Sequence, residues 1–360
     1  MGTARWSSGL FLTLVVALSG AFLFTSGQSG SQDPAKPDRG SLPPVLDPLP
    51  TPIPVARVDA DLGRIVDLDV VGETLAILAR EGWVLFGYGP PVLWSRDRNV
   101  GSPDWLSRPV SIAVGSEAIF VLDAGRSLVS VWNRGGTRLP DLPVSRGKSL
   151  NHRPAKVLLG PLGQPLVTAQ KIDEGGAASW DLVGLQANGQ PLEIISLSNT
   201  SRHMVFEEPL LAFGDSTLFG ISPLTHRLSR FDLTGGGSTL VATRVDPPLW
   251  RVPKHHRREY EKMLASLGGE ASQRSQLPEF WPSVRDFTVQ EAGCVLLAIT
   301  AGEDRQQIEI LTDHLVPLGR FSPDGFDQPV FLSQGRAFRA EEGLDETVIY
   351  ELETEVCRSQ

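Results

Sequence analysis

The residues of this chain that could do chemistry are scattered, and none forms a catalytic signature. There is no Gly-x-Ser-x-Gly elbow, no phosphate-cradling loop and no dinucleotide fingerprint. The histidines include one adjacent pair, His255–His256, and lack an H-x-x-x-H spacing; neighbouring helical positions do not share a face, so the pair is poorly placed for one metal ion. Two other sets carry more chemistry. Arg108, Arg153, Glu208, Trp281 and Gln328 each stand just before a run of β-forming residues; two guanidiniums, a carboxylate, an indole and an amide gathered at one opening would suit an anionic or sugar-like ligand. Asp67, Glu208 and Asp286 are carboxylates in or beside such runs, and would suit a divalent cation if the fold gathered them.

The elements that must position these residues form a repeat. Prolines 109, 154, 209, 282 and 329 each lead a β-type run (PVSIAV, PAKVLL, PLLAF, PSVRDFTV, PVFL), and an equivalent run without proline starts at Arg64 (RIVDLDV). The steps between successive runs are 45, 45, 55, 73 and 47 residues, a recurrence expected of propeller blades. Most units resolve into four strand-like runs separated by glycine-containing turns; the second reads PVSIAV, AIFVLDA, LVSVWN and TRLPDLPV. The last unit offers only three, while the spare run at residues 54–60 precedes the first. The spare strand and the missing strand match, so the expectation is an all-β, six-bladed β-propeller over residues 55–356, closed by its N-terminal strand.

The long step contains KHHRREYEKMLASLGG, in which Tyr260, Met263, Leu264 and Leu267 recur at helical spacing. A short helix at about 254–269 is therefore expected as an insertion between blades 4 and 5, as a cap or as a lid.

The unit RPVSIAVGSEAIFVLDAGRSLVSVWNRGG resembles the NHL-type repeat, with Pro109, Asp123, Trp132 and Gly135–Gly136 at the family's proline, aspartate, aromatic and glycine positions. The fifth unit is similar, with Glu291–Ala292–Gly293 at the Asp-x-x-Gly turn. The resemblance implies a six-bladed propeller of bacterial extracytoplasmic type, some members of which bind protein or carbohydrate partners. A metal-dependent lactonase of similar shape needs oxygen ligands converging in the channel, which would give Asp67, Glu208 and Asp286 their role.

Residues 1–27 carry Arg5, an uncharged apolar run over 10–24 and then small residues, the pattern of a signal peptide or an uncleaved membrane anchor. Residues 28–54 are proline-rich and read as a flexible linker. The protein is accordingly expected outside the cytoplasm: periplasmic, secreted or tethered to the membrane. A net charge of −9 argues against a nucleic-acid partner. Two cysteines, Cys294 and Cys357, are too few for a disulfide framework; a single disulfide between them and two free thiols are both open. No cofactor is expected. The function expected is that of a binding or scaffold propeller with a protein or carbohydrate partner; the alternative is a metal-dependent hydrolase or lyase.

Overall fold

The computed structural model describes most of residues 52–352; segments 1–51, 59–63, 80–81, 88, 96–104, 145–151, 173–177, 186–190, 202–207, 215–216, 234–237, 245–249, 253, 268–278, 291–292, 301–305, 322–329, 343–345 and 353–360 lie outside it. The expected leader, most of the linker, Gln328 and Cys357 fall in those segments. Among the described residues no helix is long and apolar enough to cross a membrane.

Six four-stranded antiparallel sheets make the six blades. Blade 1 spans Ile65–Ser95, blade 2 Pro109–Pro143, blade 3 His152–Ser201, blade 4 Leu210–Thr243 and blade 5 Val284–Phe321. Blade 6 takes three strands from Val330–Leu352 and its fourth from β1, Pro52–Val58. Pro52 pairs with Leu352 and Val58 with Thr347, with a bulge between Pro54 and Ala56. The closure read from the strand count is therefore the closure found. Pro52–Pro54, assigned to the linker from composition, begin the closing strand.

Each sheet is apolar on both faces because each is sandwiched between two others, and buried core clusters occupy all six seams. Trp83 and Trp132 meet edge to face in the seam between blades 1 and 2, with ring centroids 5.7 Å apart. Phe120, Leu122 and Val157 fill the next seam, Leu182, Leu218 and Phe231 the third, and Phe287, Val295 and Leu297 the fourth. Leu296, Ile308 and Leu332 join blades 5 and 6, and Leu68, Ile77 and Phe338 join blade 6 to blade 1. Truncating one such side chain to alanine costs about 2–5 kcal/mol.

The insertion between blades 4 and 5 contains more than the expected helix. Helix α1, Lys254–Leu267, lies between two short segments, Trp250–Arg251 and Phe280–Trp281, that pair as an antiparallel ribbon. The amide of Val252 also donates to the carbonyl of Glu279 at 2.9 Å.

Candidate functional site

The first strand of each blade faces the channel with one edge, and its N–H groups on that edge have no strand to pair with. At four of the six seams side-chain oxygens of the preceding blade take their place. Asp67 Oδ2 of blade 1 accepts from the amide of Ile112 in blade 2 at 2.9 Å and from the Ser111 hydroxyl at 2.7 Å. Asp69 Oδ2 accepts from Val114 at 2.8 Å. The Ser111 hydroxyl in turn accepts from Val157 of blade 3 at 3.2 Å. Asp286 Oδ2 of blade 5 accepts from Leu332 of blade 6 at 2.7 Å, and Thr288 Oγ1 from Gly335 at 2.8 Å. Ser333 closes the circuit: its hydroxyl accepts from Val70 at 3.2 Å and donates to Asp69 Oδ1 at 2.7 Å.

A shared backbone feature aims the upper residue of this belt. In blades 1, 2, 3 and 5 the pairing with the second strand slips by one residue just before Asp67, Ser111, Lys156 and Asp286. A bulge of this kind re-aims the following side chain. The alternation I-V-D-L-D-V-V in blade 1 then sends Ile65, Leu68 and Val70 into the core and leaves Asp67 and Asp69 half-buried on the channel side.

Lys156 is the one described cation among these channel carboxylates. Its Nζ lies 3.5 Å from Asp286 Oδ1. Burial disfavours its charge, but Asp286, Asp67, Asp69 and Glu208 together outweigh burial and hold its pKa above the ordinary lysine value. In the carboxylates burial prevails instead. Desolvation raises Asp67 despite Lys156, raises Asp69 to about 6 against its hydrogen bonds from Val114 and Ser333, and raises Glu208 to about 7 against Lys156 and a hydrogen bond with Thr168. On the far wall the channel is apolar, with Leu211 and Phe213 of blade 4. The cavity within has a volume of about 80 Å³. That is room for a few water molecules, well short of the ~300 Å³ or more of a small-molecule site.

The residues that lead into the first strands form a ring above this belt. The shared bulge and the register define it at Arg64, Arg108, Arg153 and Ser283; Glu208 leads into the first strand of blade 4, and Gln328 lies outside the described residues. The structure moves the blade 5 position from Trp281 to Ser283. Pro282 is not the equivalent of Pro109; Val284 is, because Thr300 N donates to Ser283 O as Ala124 N donates to Arg108 O. Trp281 belongs to the ribbon of the insertion, paired with Trp250. Sequence reasoning also passed over Arg64, although R-I-V-D, R-P-V-S and R-P-A-K align without a gap, so three consecutive blades present arginine at one level.

Arg108 and Arg153 are held differently. Asp123, fully buried at the end of the second strand of blade 2, accepts from the amides of Ser107 at 2.7 Å, Arg108 at 2.9 Å, Gly125 at 3.0 Å and Arg126 at 3.2 Å. The NHL-like aspartate is thus a staple that fixes the backbone of Arg108, whose side chain is exposed. Arg153 is half-buried, and its Nε and Nη2 are enclosed without a hydrogen-bond partner. Burial, with the charge of Arg108 adding to it, lowers its pKa to about 10, so it stays charged at neutral pH.

Asp67, Glu208 and Asp286, the carboxylates considered for a metal, all act on Lys156. Among the described residues no group of three or more histidine, cysteine, aspartate or glutamate side chains has a metal-binding arrangement. His226, in a left-handed conformation (φ 48°), is buried against the Ser283 hydroxyl at 2.5 Å; burial and then the charge of Arg244 lower its pKa to about 3. Cys294 is buried and disulfide-bonded.

No protein-family model matches the chain, and no curated protein matches it. Among solved structures, a member of the duf4221 family from Bacteroides vulgatus superposes with a TM-score of 0.52 at 9% identity, covering 85% of this chain and 98% of that one. A gluconolactonase from Xanthomonas campestris gives 0.49 at 13% identity over 91% and 99% of the two chains. The PQQ-bound aldose sugar dehydrogenase from Streptomyces coelicolor gives 0.47 at 14% over 87% and 100%. At these identities the likeness is one of fold, and only the first superposition is close enough to bear on it.

Proposed function

We propose that this protein is an exported binding propeller that takes its ligand at the channel mouth, on the ring of lead-in residues from Arg64 to Glu208. One observation carries the reading: Lys156 already occupies the carboxylate cluster of the channel, at 3.5 Å from Asp286 and under the influence of Asp67, Asp69 and Glu208. Asp67, Asp69 and Asp286 are further engaged by the amides of the next blade. The cavity described inside the channel is lined by this internally paired network and has room for a few water molecules, which favours the mouth for a larger ligand. Export rests on the sequence pattern of residues 1–27. The partner is of protein or carbohydrate class.

The test is a thermal-shift and calorimetric screen of the folded protein against oligosaccharides, sugar acids, lactones and divalent ions. The reading expects a stabilising ligand whose effect is lost in Arg108→Ala/Arg153→Ala, with no turnover of any lactone.

The second reading is a metal-dependent hydrolase or lyase, lactonase-like in its use of channel carboxylates. It draws on the gathering of Asp67, Glu208 and Asp286 about one point, and on a Glu208 able to exchange a proton near neutrality. It requires a divalent ion to displace the Lys156 ammonium. A large stabilisation by calcium alone, together with lactone turnover, would establish it and remove the first.

A further inference from the structure

We propose that the disulfide of Cys294 is completed by Cys357 and acts as a redox-dependent clasp on the closed ring, holding the last strand of blade 6, the one that receives β1, against blade 5. The inference is independent of where the ligand binds.

The assignment starts from the supply of sulfur. Cys294 is disulfide-bonded, and the chain holds one other cysteine, Cys357. The surroundings of Cys294 suit that partner. It follows the tight turn Gln290–Gly293, where Gly293 takes a left-handed φ of 84°, and leads into the second strand of blade 5. It is 8% exposed and packs in one core cluster with Leu352. Leu352 is the last residue of the last strand, and Cys357 follows a few residues later. Five residues reach at most about 17 Å, enough for the chain to turn back onto this end of the seam.

The position matters because Leu352 belongs to the closure itself. It pairs with Pro52 of β1 on one side and with Ala337 on the other. The hydrogen bonds described from blade 5 to blade 6 land elsewhere: Asp286 on Leu332, Thr288 and Gln290 on Gly335, and Gln306 on Val330. They hold the channel-side strand of blade 6 and its turn. The disulfide ties the outer half of the same sheet, Thr347–Leu352 with β1, to blade 5 as well. It also encloses about sixty residues, which restrains the unfolded chain. A dithiol opens the clasp by exchange: both cysteines become thiols and the dithiol becomes its own cyclic disulfide. The clasp therefore closes where thiols are oxidised, and the ring is left unclasped where they are kept reduced.

The experiment uses the folded, oxidised full chain with and without dithiothreitol. Peptide mapping without reduction is expected to recover Cys294 linked to Cys357 in the monomer; a disulfide-linked dimer overturns the proposal. Dithiothreitol, without denaturant, is expected to lower the melting temperature by about 5–10 °C. It should also speed amide exchange in Thr347–Leu352 at least ten-fold while leaving blade 2 unchanged. Cys294→Ala removes a buried side chain as well as the bond, so Cys357→Ser is the deciding variant. It is expected to match the reduced parent under oxidising conditions and to ignore dithiothreitol. The proposal falls if the bond resists dithiothreitol until the protein is denatured, or if Cys357→Ser melts with the oxidised parent. Exchange that quickens equally in all six blades also overturns it, since the bond would then restrain only the unfolded chain.

Discussion

The seam between blades 1 and 2 and the seam between blades 4 and 5 solve the same problem with different chemistry. In the first, channel aspartates cap the exposed amides of the next blade: Asp67 to Ile112 and Asp69 to Val114. Blade 4 has Leu211 and Phe213 at the corresponding level, and apolar side chains accept no hydrogen bond. Its seam with blade 5 is tied instead by two buried polar contacts, His226 to Ser283 at the head of the first strand and Arg244 to Glu309 on the third strand, further from the axis. The ribbon and helix α1 enter the chain between these two blades. The difference teaches that a seam needs polar specification somewhere along its depth, and that the channel is free to be ionic on one side only because the other side moved its polar contacts inward to the sheets.

Breaking the Arg244–Glu309 pair should have the largest effect. Both side chains are buried, so Arg244→Met strands a charge on Glu309 and is expected to cost about 3–5 kcal/mol by chemical denaturation. The double variant Arg244→Met/Glu309→Leu should recover most of it; a double variant as unstable as the single one would show that the seam depends on the ion pair itself. Asp67→Ala, in the contrasting seam, removes the acceptor for Ile112 N and Ser111 Oγ and is expected to cost about 1–3 kcal/mol, with Asp67→Asn milder. Thr288→Val, which orphans only Gly335 N, should cost about 1 kcal/mol.

In pH the two sides oppose one another, so the net effect on the parent protein is small. Glu208 and Asp69 hold their protons more tightly folded than unfolded, so their contribution is full below the ordinary carboxylate range and is lost as pH rises through about 6 to 7. His226 is held neutral by the fold, so its contribution is full above about 6.5 and is lost as pH falls toward about 3. Melting temperature measured across pH 4–8 should therefore rise on acidification in His226→Asn, where asparagine tolerates the left-handed backbone, and should flatten above pH 5 in Glu208→Gln. Parallel curves for the parent and both variants would dissolve the contrast.

The blade count and the closing strand were readable because they depend on counting strands, and a missing strand leaves a gap in the count. The mouth was readable only where proline marks the strand start. Pro282 misled because the chain reaches blade 5 through the Phe280–Trp281 ribbon, which sets the proline two residues early. Lys156 escaped notice for a different reason. A lone lysine in P-A-K-V-L-L resembles any solvent-facing strand residue, and only the ring places it opposite carboxylates from blades 1 and 5, more than eighty residues away in either direction.

The pairing of Pro52–Val58 with Thr347–Leu352 carries a consequence for how the molecule is made. The partner of this strand follows all five other blades in the chain, so the strand must wait, its hydrogen-bonding edge open, while those blades are synthesised. Loop closure over so long a span is slow. A waiting edge invites pairing with a foreign chain. The two prolines within Pro52–Pro54 withhold amide donors from the waiting edge, which makes the latch a poor template for anything except its own final strand.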